Sequence, residues 1–206
     1  MIAIIDYGMG NLSSVEKAFK YIGCQVKVTN NPDIVNEANG VVLPGVGAFA
    51  DAVKNLHNAS MVKTIKDVIG RGVPFLGICL GMQLLLDWSE EGGIDNKGLG
   101  LIKGVVKRLP SDMGLKVPHM GWNSIKMNKE CPLFKDMPDD SYVYFVHSYY
   151  ACIDDRNAAA ASAYYGMEFD VAIGYGNIFA TQFHPEKSGN IGLKILRNFA
   201  DIVAKR

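Results

Sequence analysis

Through residue 88 the chain alternates short, wholly apolar runs with stretches whose apolar residues recur three and four apart. Runs at 2–5, 40–43 and 73–78 read as strands buried on both faces, and 25–29 alternates as a further strand. Between and after them, 15–21, 33–38, 49–56, 62–69 and 81–88 carry helical spacing, the first with Asn11 or Ser13 available to cap it. Strands that alternate with helices are joined by right-handed crossovers, which make neighbouring strands parallel and cover both faces with helices. The pattern predicts an α/β fold with an open, mostly parallel sheet.

The second half has another texture. Segments 101–109, 122–127, 142–149, 158–165 and 171–182 are strand-like, with Gly174, Gly176 and Asn177 as a hairpin turn, so antiparallel strands are expected to extend the sheet. An amphipathic helix over 191–204 follows Ser188-Gly189-Asn190 as its cap region. A chain of 206 residues, 49% apolar and without repeat or low-complexity linker, suits one core, and a single domain over 1–206 is expected.

Composition narrows the partners. Lys plus Arg and Asp plus Glu number 21 each, and no basic cluster accompanies an aromatic stripe, so neither nucleic acid nor an acidic membrane surface is indicated. The apolar run at 1–5 lacks a basic flank, and no stretch approaches the roughly 18 apolar residues of a membrane helix. A soluble, cytoplasmic chain is expected. Cys24, Cys79, Cys131 and Cys152 lie far apart, without Cys-x-x-Cys or zinc-ligand spacing, so no disulfide, metal or cofactor is indicated. Cys24, Cys131 and Cys152 fit small buried apolar positions.

Cys79 differs. In Gly77-Ile78-Cys79-Leu80-Gly81 an apolar strand enters a helix with a glycine two residues either side of the thiol, the cysteine version of a nucleophile elbow. There the backbone N–H of Leu80 is placed to hold an oxyanion, and the start of the helix favours negative charge. The same five residues also suit a tight turn beside a buried thiol, and partners must decide. Of the histidines, His57 lies on a helix, His119 in a loop and His147 within a strand. His184 instead follows an apolar strand and leads into Pro185-Glu186; in extended backbone residues two apart share a face, so Glu186 can orient its imidazole. The strand at 40–43 ends in Pro44-Gly45-Val46-Gly47, which lacks the continuation of a phosphate loop but suits an oxyanion turn with an N–H near Val46 or Gly47.

Together, Gly77 to Gln83, the Pro-Gly-Val-Gly turn and His184-Pro185-Glu186 resemble the class I glutamine amidotransferase domain, over essentially the whole chain. The resemblance implies a flavodoxin-like sheet and a Cys79, His184, Glu186 triad that hydrolyses glutamine through a γ-glutamyl thioester, with Val46, Gly47 and Leu80 at the oxyanion. It implies that Gln83, Glu91, Ser148 and Tyr149 hold the substrate. Asp6 to Leu12, 43–49 and Pro118 to Asn123 narrow the likeness to the branch whose glutaminase delivers ammonia to a (β/α)8-barrel cyclase, with Asn11, Trp122, Tyr144 and Lys187 facing that partner. A related thiol hydrolase and a non-catalytic module on the same sheet are the rival classes. An intact Cys, His and Glu set speaks against the second.

Overall fold

The computed structural model of the chain describes residues 1–93, 96–111 and 114–205. Strands β1 (Ile2–Ile5), β2 (Val26–Thr29), β3 (Gly40–Gly45) and β4 (Phe75–Cys79) alternate with helices α1 (Leu12–Tyr21), α2 (Pro32–Asn36), α3 (Phe49–Asn58), α4 (Met61–Gly70) and the single turn α5 (Leu80–Gln83). Then come β5 (Trp88–Ser89), β6 (Asn96–Lys97), β7 (Gly104–Arg108), β8 (His119–Ser124), β9 (Lys126–Met127), β10 (Tyr142–His147), β11 (Tyr149–Ile153), β12 (Ala159–Tyr164), β13 (Glu168–Tyr175), β14 (Ile178–Thr181) and α6 (Gly189–Ala204). Asn11, not Ser13, caps α1, its side chain accepting from the N–H of Ser14.

Among the described residues twelve strands form one sheet, running β2-β1-β3-β4-β14-β13-β11-β7-β5-β6, with β12 on β13 and β9 on β12. The first five in that order are mutually parallel and the next joins antiparallel, so the expected parallel sheet with an antiparallel extension is what the chain forms. The core lies on both faces, one around Leu43, Phe49 and Phe75, the other around Phe19, Phe179 and Phe199. β4 sits centrally between β3 and β14, so its carboxyl end opens where two other strand ends can contribute groups.

Several expectations need correction. The helix at 81–88 stops at Gln83, and Trp88 begins β5. Leu84, Leu85 and Leu86 are all buried, and their carbonyls accept from Leu99, Leu101 and Gly100 rather than from a continuing helix. Three adjacent leucines buried on every side cannot belong to one helical stripe. The strand at 142–149 is two: the chain breaks at Ser148, so that β10 pairs with β8 in a separate two-stranded ribbon while β11 joins the main sheet beside β7. The strand at 122–127 divides likewise into β8 and β9, and His119, expected in a loop, opens β8. Gly174 lies in β13, leaving Gly176 and Asn177 between the hairpin strands.

The elbow glycines answer to space rather than to turning. A β-carbon on Gly81 would stand 1.9 Å from the carbonyl oxygen of Leu43, and one on Gly77 would stand 2.7 Å from that of Gly81. Both obstacles are backbone and cannot rotate aside. Gly81→Ala is expected to destabilise the chain by about 3 kcal/mol or more. Gly70→Ala, at the exposed end of α4 with open space around it, is expected to stabilise by about 0.5 kcal/mol. Urea-denaturation midpoints of the two variants check both.

Candidate active site

Cys79 is the residue that turns. Between β4 and α5 its backbone takes φ 55° and ψ −109°, a conformation that side chains rarely adopt and that costs about 1–3 kcal/mol. Cys79 lines a cleft of about 460 Å³ together with Val46, Gly47, Leu80, Gln83, Glu91 and His184 among others. Two larger clefts, of about 820 and 800 Å³, lie against 127–136 and against α4, and neither contains a thiol paired with a base. Chemistry, not size, singles out the smaller one. α5 has four residues, so what it offers the sulfur is its first N–H groups rather than the dipole of a long helix.

His184 follows β14 and is buried. Its Nδ1 lies 2.8 Å from Oε1 of Glu186, whose side chain is as buried as its own. The contact is made by a turn, not by extended chain: Pro185–Lys187 is a 3-10 turn capped by His184, with the proline at its first position. The backbone of His184 is fixed on both sides, its N–H donating to the carbonyl of Tyr144 at 3.0 Å and its carbonyl accepting from the Ser188 hydroxyl at 2.6 Å. Burial alone would lower the proton affinity of this imidazole. Its interactions with Cys79 and Glu186 outweigh burial and hold its pKa up at about 9. Its Nε2 is buried and makes no hydrogen bond of ordinary geometry, so the influence of Cys79 on it is electrostatic rather than a formed bond.

The other expected residues converge unequally. Gln83 is buried and lines the cleft, and its Nε2 donates both to Gln182 Oε1 at 3.0 Å and to the carbonyl of Tyr149 at 2.9 Å. Glu91 lies in the loop after β5 and lines the cleft while its Oε2 accepts from the N–H of Phe49, the first residue of α3, which has no side-chain cap of its own. Ser148 and Tyr149 line the cleft at the break between β10 and β11. Trp122 is 56% exposed and its ring meets that of Tyr144, over which Lys187 Nζ stands 5.9 Å from the centroid. Asn11 heads α1, which packs against the 185–187 turn. Among the described residues no cluster of His, Cys, Asp or Glu is arranged to hold a metal.

Gln182, at the end of a strand-like segment with no local mark of a site residue, reaches Cys79: its Nε2 donates toward Sγ at 3.7 Å. His147 is likewise a cleft wall. Its Nδ1 is 2.9 Å from the Tyr149 carbonyl, its Nε2 is 2.9 Å from His119 Nδ1, and His119 Nε2 is 3.4 Å from Asn123 Nδ2. A carbonyl can only accept, so each neutral ring donates from Nδ1 and accepts at Nε2 down the row. Burial depresses His119 to about 4 and, with smaller effects of the neighbouring histidines, His147 to about 3. His57 is exposed on α3 and touches none of this.

The comparisons agree with the geometry. The family model for Glutamine amidotransferase class-I matches residues 3–203. Imidazole glycerol phosphate synthase subunit HisH of Moorella thermoacetica is 52% identical over 202 residues, 98% of this chain and 95% of that protein. The HisH subunit of Geobacter sulfurreducens is 52% identical over 206 residues, 98% of each. Among solved structures, a glutamine amidotransferase superposes with a TM-score of 0.77 at 16% identity, covering 99% of this chain and all of that one. A chain of PurLQS from Thermotoga maritima gives 0.77 at 18%, covering 98% and 97%. This chain belongs to the class I glutamine amidotransferase family. Within that family its group is that of the imidazole glycerol phosphate synthase HisH subunits.

The raised histidine has a measurable consequence. A group whose folded pKa lies near 9 and whose unfolded value is about 6.5 contributes stability that is complete below the lower value and lost as pH rises through the upper. Stability is therefore expected to fall between about pH 6.5 and 9. Glu186→Gln removes one of the two supports and should flatten that slope, as read from urea midpoints measured across the range.

Proposed function

We propose that the chain is the glutaminase subunit of an imidazole glycerol phosphate synthase, in which Cys79, His184 and Glu186 hydrolyse glutamine and a (β/α)8-barrel cyclase subunit consumes the ammonia. The observation that carries the chemistry is the raised, Glu186-bound His184 beside a strained Cys79 in one cleft. Identity of 52% to HisH subunits across nearly their full length supports the choice within the family.

Cys79 attacks the side-chain carboxamide carbon of glutamine as thiolate, with the proton held by His184. The negative oxygen of the tetrahedral adduct is stabilised by the backbone N–H of Leu80 and by the turn at Val46 and Gly47, where Gly47 takes φ 98°. His184 then gives its proton to the departing ammonia, leaving a γ-glutamyl thioester on Cys79. The neutral imidazole takes a proton from water as the oxygen attacks the thioester, and glutamate leaves with the thiol restored. Glu186 keeps the imidazole in one tautomer and balances its charge throughout. Gln83, Glu91, Ser148 and Tyr149 hold the amino-acid end of the substrate, Glu91 through its amino group.

Ammonia that reaches water is protonated and lost, so the product needs a closed path to its acceptor. The face bearing Asn11, Trp122, Tyr144 and Lys187 meets the barrel partner, where ammonia is used on a phosphoribulosyl aminoimidazole carboxamide nucleotide. The products are imidazole glycerol phosphate and aminoimidazole carboxamide ribonucleotide, in histidine biosynthesis. The whole chain acts as one domain, in the cytoplasm, with no cofactor. In the uncomplexed chain the turn at 44–47 rests with a carbonyl toward the site, and the loaded partner turns an N–H into its place.

Cys79→Ala is expected to lower glutamine-dependent synthesis by the complex about 10³-fold or more while ammonia-dependent synthesis persists. Retained glutamine-dependent synthesis would contradict the proposal. The purified chain on its own should turn glutamine over slowly and accelerate when the barrel partner and its nucleotide are added. A glutamine-analogue alkylator, mapped by mass spectrometry, should label Cys79.

A further inference from the structure

Among the described residues three buried side-chain polar atoms have no hydrogen-bond partner: His184 Nε2, Glu186 Oε2 and the hydroxyl of Tyr7. Two belong to the triad. The third stands in the loop after β1 on a residue only 4% exposed, packed with Leu43, Phe49, Leu80 and Met82. Leaving a buried hydroxyl unpaired costs about 1–3 kcal/mol, and phenylalanine would fill the same space without that cost.

The position of the hydroxyl is informative. A β-carbon on Gly45 would stand 2.6 Å from the Tyr7 oxygen and 2.9 Å from Cβ of Leu80, so the phenol lies directly against the last residue of β3 beside the elbow. Gly45 is the register partner of Cys79. Burial, reinforced by the charge of Cys79, pushes the phenol well above its ordinary range, which keeps it a neutral donor.

The peptide between Gly45 and Val46 leads from β3 into the oxyanion turn. Its N–H and carbonyl lie in one plane on opposite sides. Turning the N–H toward a developing oxyanion therefore drives the Gly45 carbonyl to the other side, into buried space where it requires a donor. We infer that the Tyr7 hydroxyl is that donor, a positioning residue that is unpartnered while the turn rests and bonds the Gly45 carbonyl when the turn presents its N–H. This rests on the oxyanion role proposed for residues 44–47. A bond made only in the reacting arrangement lowers the barrier without tightening substrate binding, and the unpaired hydroxyl raises the energy of the resting form.

The test is Tyr7→Phe in the complete complex with the barrel partner. The kcat for glutamine hydrolysis is expected to fall roughly five- to tenfold with KM unchanged. Iodoacetamide should alkylate Cys79 at the wild-type rate, and the melting temperature of the isolated chain should stay the same or rise by about 2–4 °C. An unchanged kcat overturns the inference. So does a fall in kcat accompanied by slower alkylation or a lower melting temperature, which would mark a damaged fold rather than a lost positioning bond. A wild-type complex without glutaminase activity would instead remove the proposed function, and this inference with it; an active wild type with an equally active Tyr7→Phe removes the inference alone.

Discussion

Cys79 keeps φ at 55° because the elements on either side of it leave no alternative. β4 is paired on both edges, to β3 and to β14, so the strand cannot shift to relieve the turn. The start of α5 is pressed so close to β3 that no side chain fits between Gly81 and the Leu43 carbonyl. The sheet and the first helical turn thus trap a strained residue whose cost is spread over many buried contacts. His184 follows β14, the strand paired to β4 on its other edge, so the same pairing sets the thiol and the imidazole relative to each other.

The histidines show how environment assigns roles to one side-chain type. His119 and His147 are buried among aromatic rings and hydrogen-bonded to each other and to neutral groups, and both are depressed far below neutrality. His184 is equally buried but faces a carboxylate and a thiol, and it is raised. Burial penalises the cation in all three, so the difference comes from the charged partners. The neutral pair suits a wall that must not compete for protons. It also ties the ribbon of β8 and β10 to the Tyr149 carbonyl, which Gln83 shares.

Much of the parallel half was legible from sequence because fully buried strands and amphipathic helices have different hydrophobic periods, and β1 to β4 with α1 to α4 follow them. The Cys79 elbow was legible for a similar reason, since the glycines that permit close approach stand at fixed spacing from the cysteine. The second half was less so. Ser148, a single residue, separates two strands that belong to different sheets, and no glycine or proline between Tyr142 and Ile153 marks the break. Leu84 to Leu86 continue the apolar run of α5 in sequence, and only their burial on every side shows that the helix has already ended. Gln182 and Tyr7 carry no local signal at all, because what distinguishes them is which atoms the fold leaves beside the sulfur and beneath the Gly45 turn.

The segment after β14 joins two regions that are otherwise distinct. The N–H of His184 and the hydroxyl of Ser188 both bond the backbone of Tyr144, and the Tyr144 ring stands between Trp122 and the Lys187 ammonium. Any force on that aromatic surface therefore bears on the backbone that sets the imidazole, through contacts of ordinary hydrogen-bond length rather than through a long chain of packed side chains. A small displacement there matters because proton transfer depends steeply on distance. The turn at 44–47 is backed in the same way, by the Gly10 backbone that lies against Pro44 just before Asn11 caps α1. The Cys79 turn lies between these two sets of contacts, at the end of β4, which is paired to β3 on one edge and to β14, the strand that leads to His184, on the other.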